Sequence, residues 1–169
     1  SDPFGLAACP KDVGGDGKTA TVDDCSETIQ TEWAKTHIVV NEATDWKDVD
    51  AVLKSAVIRT SMDLRKTLYV YAGKEPGHSV EGRHAEGGAV DISRIDGVKF
   101  SLMDDASAAA LGNAIGAGIA NRLPFGQVKM VFTPGMAFRF DRPMSLEQNR
   151  ALIGAHRDHV HVSVIGSTP

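Results

Sequence analysis

The stretch "GAHRDHVHVSV", residues 154–164, sets valines at 160, 162 and 164 against polar residues at 159, 161 and 163. Apolar–polar alternation of this length reads as a β-strand with one face in a core, here expected over 159–165. Its polar face is unusual. His156, His159 and His161 place half of the chain's six histidines within six residues, with Asp158 among them. On a strand His159 and His161 share one face, because successive side chains point to opposite sides.

A second stretch, "GRHAEGGAVDIS" (82–93), raises the complementary question. Asp91 interrupts an otherwise apolar strand, Ala89-Val90-Asp91-Ile92. An ionised carboxylate buried there without a partner costs several kcal/mol, so it calls for a cation, a metal or a cage of hydrogen bonds. His84 lies seven positions earlier, and Gly87 and Gly88 between them let the backbone turn tightly enough to aim both side chains at one point. Two histidines and one carboxylate supply three ligands and leave a fourth position open. That is the composition of a catalytic zinc site, whereas structural sites are closed by four ligands.

The remaining chain supplies a scaffold for such a site. Residues 46–65, "WKDVDAVLKSAVIRTSMDLR", carry apolar side chains near helical spacing, with Asp45 as the expected N-cap. "TLYVYAG" (67–73) reads as a strand, followed by a glycine-rich loop. "AVDIS" (89–93) is a further strand, with a "DG" turn at 96–97. A helix is expected over 104–122, a strand over 127–133, and a short helix over 145–155 that Ser145 caps and Gly154 ends. This order gives an α+β fold, helices packed on a small, mostly antiparallel sheet. Trp33 and Trp46 read as packing residues, and His37 and His78 acquire no role.

Length and composition agree with one domain over 31–169, preceded by an irregular leader over 1–30 that is rich in Gly, Asp and Thr. At 169 residues the chain can bury a sizeable core, and 42% hydrophobic with 24% charged residues is ordinary for a globular protein. A net charge of −4 gives no electrostatic case for nucleic acid. No apolar run is long enough to span a bilayer, and no signal peptide is evident. Cys9 and Cys25, if paired, would close a short loop suited to an oxidising compartment such as a periplasm, but spacing alone leaves the pairing open.

The two stretches together carry a resemblance. "H-A-E-G-G-A-V-D" (84–91) resembles the H-x-x-G-x-A-x-D motif of the zinc D-Ala-D-Ala peptidases, whose relatives include lysostaphin-like enzymes, the penicillin-insensitive murein endopeptidases and the hedgehog signalling domain. "H-R-D-H-V-H" (156–161) is similar to the C-terminal tract of the murein endopeptidase branch. The resemblance covers residues 46–165 and implies a hedgehog/D-Ala-D-Ala peptidase-like fold with Zn2+ held by His84, Asp91 and His161. It further implies that His159 is the general base or an oxyanion partner, that Asp158 stands where carboxypeptidase members carry their base, and that His156 is a further active-site histidine. The implied activity is D,D-carboxypeptidase or D,D-endopeptidase cleavage of peptidoglycan stem peptides. The chain departs from the family in having Gly82 where a Ser is common, and "YAGK" where many members have Ser-Gly-Tyr-Arg. Lys74 or Arg83 then stands in for the missing arginine.

At the N-terminus, "DPFGL" (2–6) resembles the sequence that closes the core of Rhs-repeat polymorphic toxins, directly before their variable toxin domain. This implies a warhead delivered by a secretion system (type VI among them), attached to an Rhs core, acting in the periplasm of a target bacterium and matched by a cognate immunity protein. Three rivals stand beside this reading. One is a zinc-containing binding module of the same fold, as in hedgehog. Another is a metal-dependent nuclease toxin, disfavoured by the acidic charge. The third is a non-haem iron oxygenase, whose first ligand pair is usually H-x-D or H-x-E rather than seven residues apart.

Overall fold

The computed structural model describes residues 22–42, 44–72 and 83–166. Among these, seven strands form one sheet: β1 (Ile38–Val40), β2 (Leu68–Ala72), β3 (Ala89–Ile95), β4 (Val98–Lys99), β5 (Val128–Phe132), β6 (Ala137–Arg139) and β7 (Val160–Val164). They lie in the order β1-β2-β3-β7-β5-β6, with β4 paired to β3. Every pairing is antiparallel except β1 with β2. That parallel pair needs a crossover, which the helix α2 (Ala51–Leu64) provides. With α1 (Val22–His37), α3 (Asp105–Asn121) and α4 (Leu146–Ala155), the chain is a small α+β fold, a mostly antiparallel sheet with packed helices.

One face of the sheet is the main core. Leu68 and Val70 of β2, Val90 and Ile92 of β3, and Val160 and Val162 of β7 are fully buried there against Leu53 and Val57 of α2 and Ile115 and Ile119 of α3. Small residues let α3 lie close: a Cβ on Gly116 would press into Thr133 and Val131, and one on Gly118 into Thr60 of α2. The opposite face carries a smaller cluster, in which Leu152 and Ile153 of α4 pack on Met130, Phe132 and Ala137. Between that cluster and β2 lies the stretch of sheet that holds Asp91 and His161.

Several local expectations change. The leader expected to be irregular over 1–30 is helical from Val22. Among its described side chains the large buried anchor is Trp33, which is 2% exposed and donates its indole N–H to Ser61 of α2 at 2.8 Å. His37 stacks on the same indole with ring centroids 3.6 Å apart. Asp45 does not cap α2; Trp46–Asp48 form a separate 3-10 turn, and Val49 is extended. The cap is Asp50, whose carboxylate accepts from the N–H groups of Val52 (3.0 Å) and Leu53 (3.1 Å), satisfying donors that the first turn leaves open. Ser145 caps α4 with a reciprocal Gln148 contact, but the helix runs through Gly154 and is closed by His156. Cys9, Lys74, His78, Gly82 and the "DPFGL" motif lie outside the described residues.

Candidate metal centre

The sheet register brings the two unusual stretches together. Asp91 on β3 and His161 on β7 are direct antiparallel partners, so their side chains leave the same face a few ångströms apart. His161 Nδ1 lies 2.8 Å from Asp91 Oδ1. The third member arrives from the turn before β3. Arg83 and Gly87 both adopt left-handed backbone conformations (φ 62° and 74°) on either side of a one-turn 3-10 helix at His84–Glu86. This folds His84 back over the sheet, placing its Nε2 3.2 Å from Asp91 Oδ2 and 3.2 Å from His161 Nδ1.

Gly87 is required for this turn. Its φ is positive, and a Cβ there would run into the Asp48 carbonyl oxygen. Its own carbonyl accepts from Asp50 N–H at 2.8 Å, which joins the site to the cap of α2. Gly87→Ala is therefore expected to lower unfolding free energy by about 2–5 kcal/mol, combining the left-handed penalty with overpacking. Urea denaturation of the metal-free protein measures this, and a change below about 0.5 kcal/mol would be incompatible with the geometry.

All three side chains are nearly inaccessible: His84 is 3%, Asp91 4% and His161 5% exposed. Burial pushes the Asp91 carboxyl pKa up, but hydrogen bonds and positive charge from His161 and His84 outweigh it and hold the group well below the usual carboxylate range. Asp91 is thus a buried anion facing two imidazole nitrogens. Their ligand atoms lie within 4.8 Å of one another and could hold a metal ion. A tetrahedral ion with bonds of about 2.0–2.1 Å spaces its ligands by about 3.3 Å. The two imidazole nitrogens, 3.2 Å apart, are close to that spacing, and each lies near a different oxygen of Asp91, His84 Nε2 at 3.2 Å from Oδ2 and His161 Nδ1 at 2.8 Å from Oδ1. If Nδ1 of His161 is a ligand, the proton rests on Nε2, a buried nitrogen that has no hydrogen-bond partner among the described residues. The donor set therefore fits a zinc-type ion.

A second group adjoins the first. His159 lies just before β7, and its Nδ1 is 2.6 Å from Asp158 Oδ1. The carboxylate can only accept, so Nδ1–H donates and the lone pair of His159 is on Nε2. His156 donates its Nδ1–H to the Leu152 carbonyl at 2.7 Å. Its ring lies between the other two, with centroids 4.6 Å from His159 and 6.0 Å from His161. Phe132 stacks on His161 at 5.7 Å, and Tyr71 meets His159 edge-on at 5.9 Å. All six candidate residues are thus gathered on one face of the sheet, in two adjoining sets.

Comparison with protein-family models and with curated proteins finds no match to this chain. Its functional reading rests on the chemistry of the site.

Two arginines complete the surroundings. Arg157 fixes the turn that carries His156, Asp158 and His159: it donates to the carbonyls of Phe100 (2.9 Å) and Met103 (2.8 Å) and pairs with Asp105 at 2.8 Å. Its place inside a His/Asp tract is the sequence signal for this anchoring role. Arg83 lies against Gly88, and its Nη2 is tied to Glu86 at 2.6 Å, while its buried Nε has no hydrogen-bond partner among the described residues.

The buried His156 also makes stability pH-dependent. Burial, followed by the nearby charges of His159 and His161, lowers its pKa from 6.5 to about 4 despite the Leu152 hydrogen bond. The unfolded chain then takes up the proton first, so the contribution is complete above pH 6.5 and is lost as pH falls toward 4. Part of the ring faces solvent, which limits the loss to about 1–2 kcal/mol. Asp91 acts in a lower window: its depressed pKa gives stability that is present above the ordinary carboxylate range and fades only below it. Denaturation of the metal-free protein at pH 7.5, 6 and 5 should show a slope that His156→Gln removes; an unchanged slope in the variant would assign it elsewhere.

Proposed function

We propose that this chain is a zinc peptidase that hydrolyses peptidoglycan stem-peptide bonds involving D-amino acids, as a D,D-carboxypeptidase or D,D-endopeptidase. The observation that carries the reading is the convergence of His84 Nε2, the Asp91 carboxylate and His161 Nδ1 in one buried cluster beside a hydrogen-bonded His159–Asp158 pair. His84, Asp91 and His161 would hold the metal. When bound, zinc lowers the pKa of a water to about 7 and polarises a carbonyl oxygen.

The chain's own residues supply the rest. With Nδ1–H held by Asp158, the neutral His159 ring carries its lone pair on Nε2, which suits it to accept a proton from the attacking water and return it to the leaving amine. Once protonated, it is a cation able to steady the oxyanion of a tetrahedral intermediate. Asp158 holds the His159 tautomer and orientation by its 2.6 Å bond to Nδ1. That contact favours His159 as the base and Asp158 as a positioning residue. His156, fixed by Leu152, and Phe132 wall off one side and limit water around the metal pocket. Together with the two sequence motifs, these roles support the resemblance to the D-Ala-D-Ala peptidase and murein endopeptidase superfamily.

The "DPFGL" motif supports a further part of the reading, that the domain is the tip of an Rhs-type secreted toxin acting on a target periplasm and countered by an immunity protein. No helix among the described residues is long and apolar enough to cross a membrane. Mass spectrometry of purified muropeptides treated with the zinc-loaded protein tests the activity. Loss of one D-Ala identifies a carboxypeptidase, a split cross-link identifies an endopeptidase, and intact muropeptides would reject both.

A further inference from the structure

Beside the His159–Asp158 pair, a cleft of about 330 Å³ opens on the same face of the sheet, bordered by Tyr69, Tyr71, Arg94, Lys99, Ser101 and Asp158. One of these residues, Arg94, shares that face only because β3 is irregular. Simple alternation along β3 would put Arg94 with Val90 and Ile92 in the core. Instead Tyr69 pairs with Arg94 and Val70 with Ile92, so Ser93 is an extra residue and the side-chain order inverts beyond it. Ile95 then enters the core, 3% exposed, while Arg94 turns toward Asp91's side and lays its guanidinium over the Tyr69 ring at 4.5 Å. Tyr71 follows Tyr69 onto this face by ordinary alternation and meets His159 edge-on, next to a second register shift between Val70 and Ala72. Bulges of this kind re-aim side chains next to functional sites.

The charge pattern is the telling feature. Arg94 and Lys99 are direct cross-strand partners. Like charges placed opposite one another destabilise a sheet, and neither forms an ion pair among the described residues. Arg94 Nε is, in addition, buried with no hydrogen-bond partner there. Such a pair is relieved by an anion lodged between the two cations. The one carboxylate bordering the cleft, Asp158, is already engaged by His159.

We infer that this cleft is a substrate subsite in which Arg94 and Lys99 bind a free carboxylate carried by the peptide near the scissile bond, with Tyr69 and Tyr71 flanking its stem. The inference rests on the peptidase reading and adds to it a substrate class: stem peptides whose diamino-acid or D-glutamyl carboxylate is free rather than amidated. Two charge-assisted hydrogen bonds imply a preference on the order of tenfold to a hundredfold.

The test compares Arg94→Gln and Lys99→Gln with the unmodified chain, using matched muropeptides with free and with amidated carboxylates. The expected result is a tenfold to hundredfold rise in KM for the free-carboxylate substrate, little change in kcat, and no change for the amidated one. Lys99→Gln should melt no lower than the parent, because a repulsive pair is removed. Binding of both muropeptides to the His159→Ala protein, read by calorimetry, separates the two levels of the proposal. Cleavage without discrimination overturns the subsite and leaves the peptidase. Carboxylate-dependent binding without cleavage by the zinc-loaded parent overturns the peptidase and leaves the subsite. Equal binding of the two muropeptides, unaltered by either substitution, overturns the subsite.

Discussion

Replacing His161 by Ala should cut muropeptide hydrolysis on the order of a thousandfold or more, because water reaches a pKa near 7 only beside the metal. The residue is the centre of the buried triad: its Nδ1 contacts both Asp91 and His84. Asp91→Asn should be comparably damaging, since it removes the anion that offsets the charge of a divalent ion. Chelation of the unmodified protein should reproduce either loss and added zinc should reverse it. In the variants, zinc should restore nothing. Circular dichroism guards against simple unfolding, as His161 and Asp91 lie on the face of the sheet away from the main core. Substantial hydrolysis by the chelated protein would remove the metal from the mechanism altogether.

His159→Ala should lower kcat by a factor on the order of 10²–10⁴, the usual worth of a positioned general base, while zinc stays bound. Asp158→Asn should cost less, about tenfold to a hundredfold, because an exposed carboxylate that orients an imidazole contributes less than the base itself. The ratio of the two losses discriminates their roles. If Asp158 were the base, Asp158→Asn would be the more damaging change and His159→Ala the milder one. The 2.6 Å contact to Nδ1 favours the first order.

Much of this arrangement was legible in the sequence, for physical reasons that can be named. The strand at 160–164 announces itself because its valines alternate against polar residues over a full span. Asp91 stands out because a carboxylate in an apolar strand demands partners, and the partners are the two histidines expected. The α+β order follows from helical periodicity in α2 and from the acidic start and alanine-rich run of α3. What stayed hidden depends on contacts distant in sequence. The helix at Val22–His37 is mostly polar, with apolar residues only at 22, 25, 29, 33 and 34, and it is held by Trp33 against α2. Strands β1, β4 and β6 are two or three residues long and exist through pairing with neighbours rather than through their own propensity. For β6 there was a usable signal, the Pro134-Gly135 turn that closes it onto β5.

The site shows the same division. Side-chain identity and spacing fix which groups can be ligands, but not the tautomer of His159, which the neighbouring Asp158 imposes. Nor does alternation reveal where Arg94 points. The bulge at Ser93 reverses it, and only the register of β2 against β3 exposes that reversal. Asp50, rather than Asp45, caps α2 because Val49 is extended and Asp50 is tied by its N–H to Gly87, a contact between the helix and the turn that carries His84.

The most direct test of the central claim is zinc stoichiometry by native mass spectrometry of the intact chain and its single-residue variants. One zinc per chain is expected in the parent and in His156→Gln, and none in His84→Ala, Asp91→Asn or His161→Ala at the same metal concentration. Zinc retained at one equivalent after removal of any of those three ligands would contradict the assignment of the site.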